Sequence, residues 1–214
     1  MQKHLPKDTQ KKEARVRIDP KNLSKRNAYR LMTSVIVPRP IAWVGTNDSQ
    51  GIPNLAPFSF FNGVSTQPPI VSVSISRGKG GCLKDTAQNI LTGGDLSISV
   101  VTLGDLEAMH ASSANYPSEE SEFEALNIPL AWCEQVAAPR PKEAAVVMEC
   151  QLHKAIDLES THLILARVLA YEVREDVLLD EAIDPALLQP IGRLGGSYAE
   201  LGHVHELPRA KRRD

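Results

Sequence analysis

The sequence is short of the features that announce common functions. Its three cysteines, Cys82, Cys133 and Cys150, are an odd number with no metal-ligand spacing. They fit a reducing cytoplasm better than a disulfide framework. Charge of one sign is not in excess: the net charge is -2, which excludes an overall basic field for nucleic acid. Aromatic residues make up 5%, so a core must be built from Val, Ile, Leu and Ala. No apolar h-region opens the chain, and no secretory signal is expected. A long uncharged stretch runs between Asp48 and Arg77, but Pro53, Pro57, Pro68 and Pro69 and many Asn, Gln and Ser residues exclude a bilayer helix. The expectation is a soluble protein that binds neither membrane nor nucleic acid.

Nucleotide and hydrolase fingerprints are missing as well. There is no G-x-G-x-x-G between strand and helix, no G-x-x-x-x-G-K-[ST] and no G-x-S-x-G. His203 and His205 would share one face of a strand, but no third ligand accompanies them and no metal site is expected.

What is present is an antiparallel pattern. A helix is expected from Asn22 to Met32, capped near Asn22 or Ser24. Strand Ile41–Thr46, the turn Asn47–Gly51 and the return Ile52–Pro57 read as a hairpin. Phe58–Val64 and Ile70–Ser76 read as further strands, the second alternating so that Val71, Val73 and Ile75 share a buried face. A helix is expected over Cys82–Leu91, ended by Gly93-Gly94, then a strand Leu96–Val101, helical material over Asp105–Ala111 and an acidic segment Ser118–Leu126. Val146–Ile156 and His162–Arg174 read as long antiparallel strands turning near Glu159-Ser160. Together these predict a mainly β fold, an antiparallel barrel with inserted helices in one domain over 21–205. Basic tails over 1–20 and 206–214 are expected to be solvated and flexible. They hold Lys3, Lys7, Lys11, Lys12, Arg15 and Arg17 at the start, and Arg209, Lys211, Arg212 and Arg213 at the finish.

Two units suit a ligand. Around Ser76–Asn89 a strand runs through Arg77 and a glycine-rich loop into Lys84-Asp85-Thr86 and Asn89 at a helix start. Glycine backbone N–H groups, a helix N-terminus, Arg77, Lys79 and Lys84 suit a phosphate; an ordinary solvated loop is the alternative. Cys82 beside it reads as a small buried hydrophobe. In Asn54–Ser65, three of the four phenylalanines fall within Phe58–Phe61. Alternation cannot bury all three on one face, so at least one should face a cleft or a partner.

The order of several blocks carries a resemblance. Val37-Pro38-Arg39-Pro40-Ile41-Ala42-Trp43-Val44 is followed by Asn54-Leu55-Ala56-Pro57-Phe58-Ser59-Phe60-Phe61-Asn62-Gly63-Val64-Ser65, then Lys84-Asp85-Thr86 with Asn89-Ile90. Glu122-Phe123-Glu124, Glu149-Cys150 after Pro139-Arg140, and Arg193-Leu194-Gly195-Gly196 with Tyr198 complete the set. In these blocks the sequence resembles the flavin reductase-like FMN-binding split-barrel proteins, of the group that includes flavoredoxin. The resemblance implies a homodimer of six-stranded antiparallel Greek-key barrels with FMN in a cleft at the subunit interface. By position, Ala56, Pro57, Phe58, Ser59, Phe60, Phe61 and Asn62 would line the isoalloxazine. Ser76, Arg77, Lys84 and Thr86 would hold the phosphate, with Asp85 and Asn89 near it. Arg39 would lie beside the cofactor, and Arg193 and Tyr198 would close the site from the same or the partner subunit. Ala166, where the family often has glycine, and Ala144-Ala145, where it has a Ser-Pro-like pair, depart from the pattern outside these contacts.

The activity so implied is hydride transfer from NAD(P)H to bound flavin, with electrons passed on to an acceptor such as a monooxygenase. The flavin carries that chemistry, so no catalytic triad is required. Two alternatives are a flavoredoxin-like electron carrier without its own nicotinamide site, and a barrel that has lost its cofactor and serves as an interaction module.

Overall fold

A computed structural model describes residues 15–205 and 207–208. Of the basic residues in the expected tails, Arg15 and Arg17 are described and the others lie outside the described residues. Its strands are β1 Arg39–Pro40, β2 Ala42–Asn47, β3 Pro53–Phe58, β4 Phe61–Thr66, β5 Pro69–Ser76, β6 Asp95–Val100 and β7 Leu130–Trp132. They continue with β8 Pro139–Pro141, β9 Val146–Asp157, β10 Thr161–Val173, β11 Leu178–Leu179, β12 Ala182–Ile183, β13 Ile191–Arg193 and β14 Tyr198–Glu200. The α-helices are α1 Lys25–Val35, α2 Asp85–Gly93, α3 Leu106–Ala111, α4 Glu122–Ala125 and α5 Pro185–Leu188.

One seven-stranded sheet, ordered β3-β2-β6-β9-β10-β5-β4, organises the molecule, and every neighbouring pair in it is antiparallel. Six barrel strands were expected. The residue pattern itself divides into seven strands, and the structure moves one boundary: β3 runs on through Phe58, and the chain breaks at Ser59-Phe60 before β4. That break closes the barrel. β3 and β4 are opposite edges of the sheet, yet only two residues join them. Phe58 and Phe61 therefore lie within about 11 Å of each other, and the sheet must curl until its edges meet. β3 approaches β5 without pairing to it, which leaves an open seam along the barrel.

Inward-facing residues fill the barrel: Val44, Phe58, Val71, Val73, Ile75, Leu96, Ile98 and Ile164 pack with Ala87 and Ile90 of α2. β2 is buried on both faces because its other side meets a second cluster, in which Ile41, Trp43 and Leu55 pack on Met109 and Phe123. Trp43 Nε1 donates to Ser112 Oγ at 2.9 Å, so its buried polar atom is satisfied.

α1 starts at the second of the two expected caps and runs on to Val35, past the expected end at Met32, whereas α2 starts later than the sequence suggested. Ser24 caps α1 by accepting from Asn27 N–H, and residues 82–84 stay extended before α2. Gly94, at φ 83°, ends α2 in the left-handed conformation that glycine adopts without strain. The acidic segment is helical only over Glu122–Ala125. The small sheets β1-β13-β14, β7-β8 and β11-β12 were not foreseen. No helix among the described residues is long and apolar enough to cross a membrane.

Gly45 is the tightest point of the fold. A Cβ there would collide with the Pro139 carbonyl oxygen and come within 2.6 Å of Ser97 Oγ. Gly45→Ala is expected to destabilise the protein by about 3 kcal/mol, read as a lowered urea midpoint. An unchanged midpoint would contradict this packing.

Candidate functional site

The seam has a definite frame. At one end Thr86 Oγ1 accepts from Asn54 Nδ2 at 3.0 Å, which ties the start of α2 to β3. At the other, Ser74 N–H donates to Phe60 O at 2.9 Å, which ties the β3–β4 corner to β5. Asn54 and Ser59 are five positions apart, about 16 Å of extended chain.

The three phenylalanines part company as alternation requires. Phe58 is buried in the barrel and Phe61 packs against it, whereas Phe60 is 38% exposed beside Tyr29, with ring centroids 6.5 Å apart. Ala56 also packs against the barrel interior, Pro57 and Ser59 face a small cavity on its outside, and Asn62 is exposed.

Arg39 is 3% exposed and bound from several sides. Nη1 donates to Thr33 O at 2.7 Å and Ile36 O at 2.9 Å, Nη2 to Leu194 O at 2.8 Å, and Nε to Ser59 Oγ at 3.4 Å. Burial lowers its pKa, and the nearby Arg193 charge acts in the same direction. Arg39 was expected beside a cofactor. Its donors are instead spent on protein acceptors, so it positions Ser59 and Phe60.

The cavity outside Pro57 measures about 160 Å³ and includes Tyr29, Ser59, Ser113, Arg193 and Tyr198 in its wall. The Arg193 guanidinium lies 4.4 Å from the centre of the Tyr198 ring. Its Nη1 is shut off from solvent without a hydrogen-bond partner. Tyr198 OH and His110 Nδ1 are 2.9 Å apart. His110, on the short helix α3, was missed, because only the folded chain brings it 88 residues back to Tyr198.

The expected phosphate unit divides. Ser76 and Lys84 are exposed, and Lys84 stands at the N-cap of α2 with no side-chain cap, so the helix's first N–H groups are free of one. Gly80 and Gly81 turn the loop at φ 72° and 82°. Arg77 does not stand free as expected: Nη2 pairs with Asp157 at 2.8 Å, Nε donates to Glu159 O and Nη1 to Gly81 O. Thr86 is 2% exposed, and Asn89, also buried, donates to Thr46 Oγ1 at 3.1 Å, so both belong to the α2–barrel joint and not to the loop surface. The Asp85 carboxylate accepts from Ser118 Oγ at 2.8 Å and faces an acidic cavity, where it would repel a phosphate. Cys82 is exposed, not the buried hydrophobe expected. Cys133 and Cys150, by contrast, have thiols pushed up to about 12, chiefly by burial. His162, also unforeseen, is buried near Arg77 and leaves Nδ1 without a partner.

A larger cavity, about 510 Å³, lies elsewhere and carries Asp48, Asp85, Asp95, Glu120 and Glu122 in its wall. Its charge opposes a flavin phosphate, so its size does not make it the cofactor site. Glu122, 7% exposed, accepts from Leu55 N–H at 2.8 Å and thereby anchors β3 to α4. Burial raises its pKa, and the Leu55 hydrogen bond opposes the rise only in part. No metal-ligand cluster occurs among the described residues.

The model of the flavin reductase like domain matches residues 32–190, and the chain belongs to that family. Arg193 and Tyr198 lie just beyond the match. Nitrilotriacetate monooxygenase component B from Bacillus cereus superposes with a TM-score of 0.87 at 35% identity, over 91% of this chain and 99% of that one. Pseudomonas fluorescens 2-nitrobenzoate 2-nitroreductase gives 0.83 at 29%, over 91% and 96%. Flavoredoxin of Desulfovibrio vulgaris gives 0.72 at 21%, over 82% and 93%, a likeness of fold. The fold is the split barrel of flavin reductases, and the protein is a flavin-related oxidoreductase.

The raised Glu122 pKa sets a pH dependence. The native state holds this proton more tightly than the unfolded chain, so Glu122 erodes stability as pH climbs from about 4.5 through its raised value. Glu122→Gln keeps an acceptor for Leu55 N–H and removes the titration. Its urea midpoint relative to the parent is expected to be higher at pH 7.5 than at pH 4.5 (about these two values). A difference that does not vary with pH would contradict the assignment.

Proposed function

We propose that this member of the flavin reductase-like family binds FMN along the β3–β5 seam and works as an NAD(P)H-dependent oxidoreductase. The observation that carries this reading is the pairing of opposite chemistries at the two ends of one open seam. At the α2 end stand the exposed Lys84 ammonium, the Ser76 hydroxyl and an uncapped helix N-terminus, which suit a phosphate. At the corner end stand Pro57, the exposed Phe60 ring and the Ser59 hydroxyl, which suit a flat heterocycle with polar edges. Ala56, between them, packs toward the barrel interior. The residues present fit the cofactor.

Bound flavin supplies hydride acceptance from a reduced nicotinamide and delivery of the electrons to an acceptor. The protein's part is positional and electrostatic. Lys84 and the first N–H groups of α2 neutralise the phosphate. Arg39 holds Ser59 and Phe60 in place, and Ser59 O–H remains a donor toward negative charge developing on the ring. Phe58 and Phe61 act by packing beneath the seam, and Thr86 and Asn89 by fixing α2 against β2 and β3. Arg77 stiffens the glycine loop through Asp157. Asn62 lies at the rim.

The cavity of about 160 Å³ beside the seam is too small to hold a flavin, since sites for ligands of that size begin at roughly 300 Å³. A second copy of the chain completes the site in this reading. Tyr29, Met32, Val35 and Ile36 on or beside α1 are exposed next to Phe60 and form the apolar face such a homodimer would cover. The same reading takes 21–205 as the flavin domain, places the protein in a reducing cytoplasm, and makes the electron acceptor a partner such as a monooxygenase component, as the name of the Bacillus cereus neighbour suggests.

Purified protein loaded with FMN is expected to show a visible flavin spectrum that bleaches without oxygen on adding NADH or NADPH, faster than free FMN does. Lys84→Met is expected to weaken FMN roughly tenfold. A flavin that stays oxidised with both donors would replace this reading by an electron carrier reduced by another protein. A chain that takes up no FMN would leave the fold alone standing.

A further inference from the structure

The small cavity beside β13 has a charge problem. β1 and β13 pair antiparallel with Arg39 directly opposite Arg193, an arrangement in which like charges destabilise a sheet. Neither guanidinium has a carboxylate. The ion pairs among the described residues involve Arg77, Arg140, His162 and Arg174. Every acceptor that Arg39 meets is neutral, three carbonyls and one hydroxyl. Arg193 stacks on Tyr198, and its Nη1 is buried with no acceptor at all. Cations removed from water without a counter-ion cost several kcal/mol, so two neighbouring ones call for an anion.

We infer that this cavity is a carboxylate subsite, which holds a small organic anion against Arg193 and Tyr198 beside the flavin. A carboxylate in the cavity meets Arg193 through the guanidinium N–H groups other than the sealed Nη1. About 160 Å³ admits a carboxylate on one small ring. Apolar wall from Ile41, Pro57 and Met109 suits that ring and not a free phosphate. Ser59 and Ser113 add hydroxyls. Tyr198 shares a hydrogen bond with His110 Nδ1; with an anion bound, His110 donates to the phenol oxygen and the phenol donates to the carboxylate. His110 is thus a positioning residue. Pro57 and Ser59 border both this cavity and the proposed flavin seam. Calling the anion a substrate rests on the flavin reading, whereas its binding does not.

The test is calorimetric titration of benzoate and of benzamide, its neutral analogue, into flavin-free and FMN-loaded full-length protein. Benzoate is expected to bind the loaded protein on the order of tenfold tighter than benzamide. Arg193→Gln is expected to abolish that preference and Tyr198→Phe to reduce it several-fold, on the flavin-free protein as well, which tells the effect apart from any on flavin binding. Should Arg193→Gln fail to fold, Tyr198→Phe decides, because it keeps the ring under the guanidinium and removes only the hydroxyl. Equal binding of the two ligands, or none, overturns the subsite. Benzoate binding that disappears on loading FMN also overturns it, because the anion site then belongs to the cofactor. If the protein takes up no FMN, the flavin reading fails, and the benzoate–benzamide difference on the flavin-free protein alone upholds or overturns the subsite.

Discussion

The Arg39 guanidinium is the constraint on which the rest of the site depends. It joins segments that share no other element: the end of α1 through Thr33 and Ile36, the β3–β4 corner through Ser59, and the β13–β14 turn through Leu194. α1 buries only Thr33, so its seat on the barrel owes more to this charged staple than to apolar packing. A buried arginine is costly to desolvate. The return here is geometric, because four acceptors from three places converge on one planar group and hold Ser59, Phe60 and Arg193 in a fixed relation.

The barrel supplies the other half of the arrangement. Its two sheet edges are drawn together by a two-residue link, yet β3 and β5 never pair, so the closure leaves a seam with backbone on both sides. α2 plugs the barrel with Ala87 and Ile90 and presents its N-terminus at one end of that seam. Size and chemistry disagree about where a ligand belongs. The larger cavity is walled by five carboxylates, and the smaller one by an unpaired guanidinium and hydroxyls. For an anionic nucleotide the sign of the charge outweighs the volume, since it decides whether binding is attractive at all.

Much of this was legible in residue patterns. The alternation Val71, Val73, Ile75 placed β5 correctly, the Asn47–Gly51 turn placed the β2–β3 hairpin, and the crowded phenylalanines announced that one ring would be left outside. These signals are local. What escaped notice was set by register. Arg77 looked available for a phosphate because its partner, Asp157 at the end of β9, is 80 residues away and arrives only through the antiparallel pairing of β10 with both β5 and β9. Thr86 and Asn89 read as phosphate ligands in the first turns of a helix, but packing of α2 on the barrel turns them toward Asn54 of β3 and Thr46 of β2. Ser59-Phe60 has no glycine or proline to mark a break, so the seam itself could not be read. His110 and Glu122 act through contacts 88 and 67 residues apart, and no spacing rule finds those.

The central claim is that flavin lies along the seam and not in the larger acidic cavity. Backbone hydrogen–deuterium exchange with and without FMN tests it most directly. The account predicts added protection over 54–62 and 76–86, on the two sides of the seam, with the acidic rim at 47–50 and 117–120 unchanged. Protection confined to that rim, or none anywhere despite bound flavin, would contradict it.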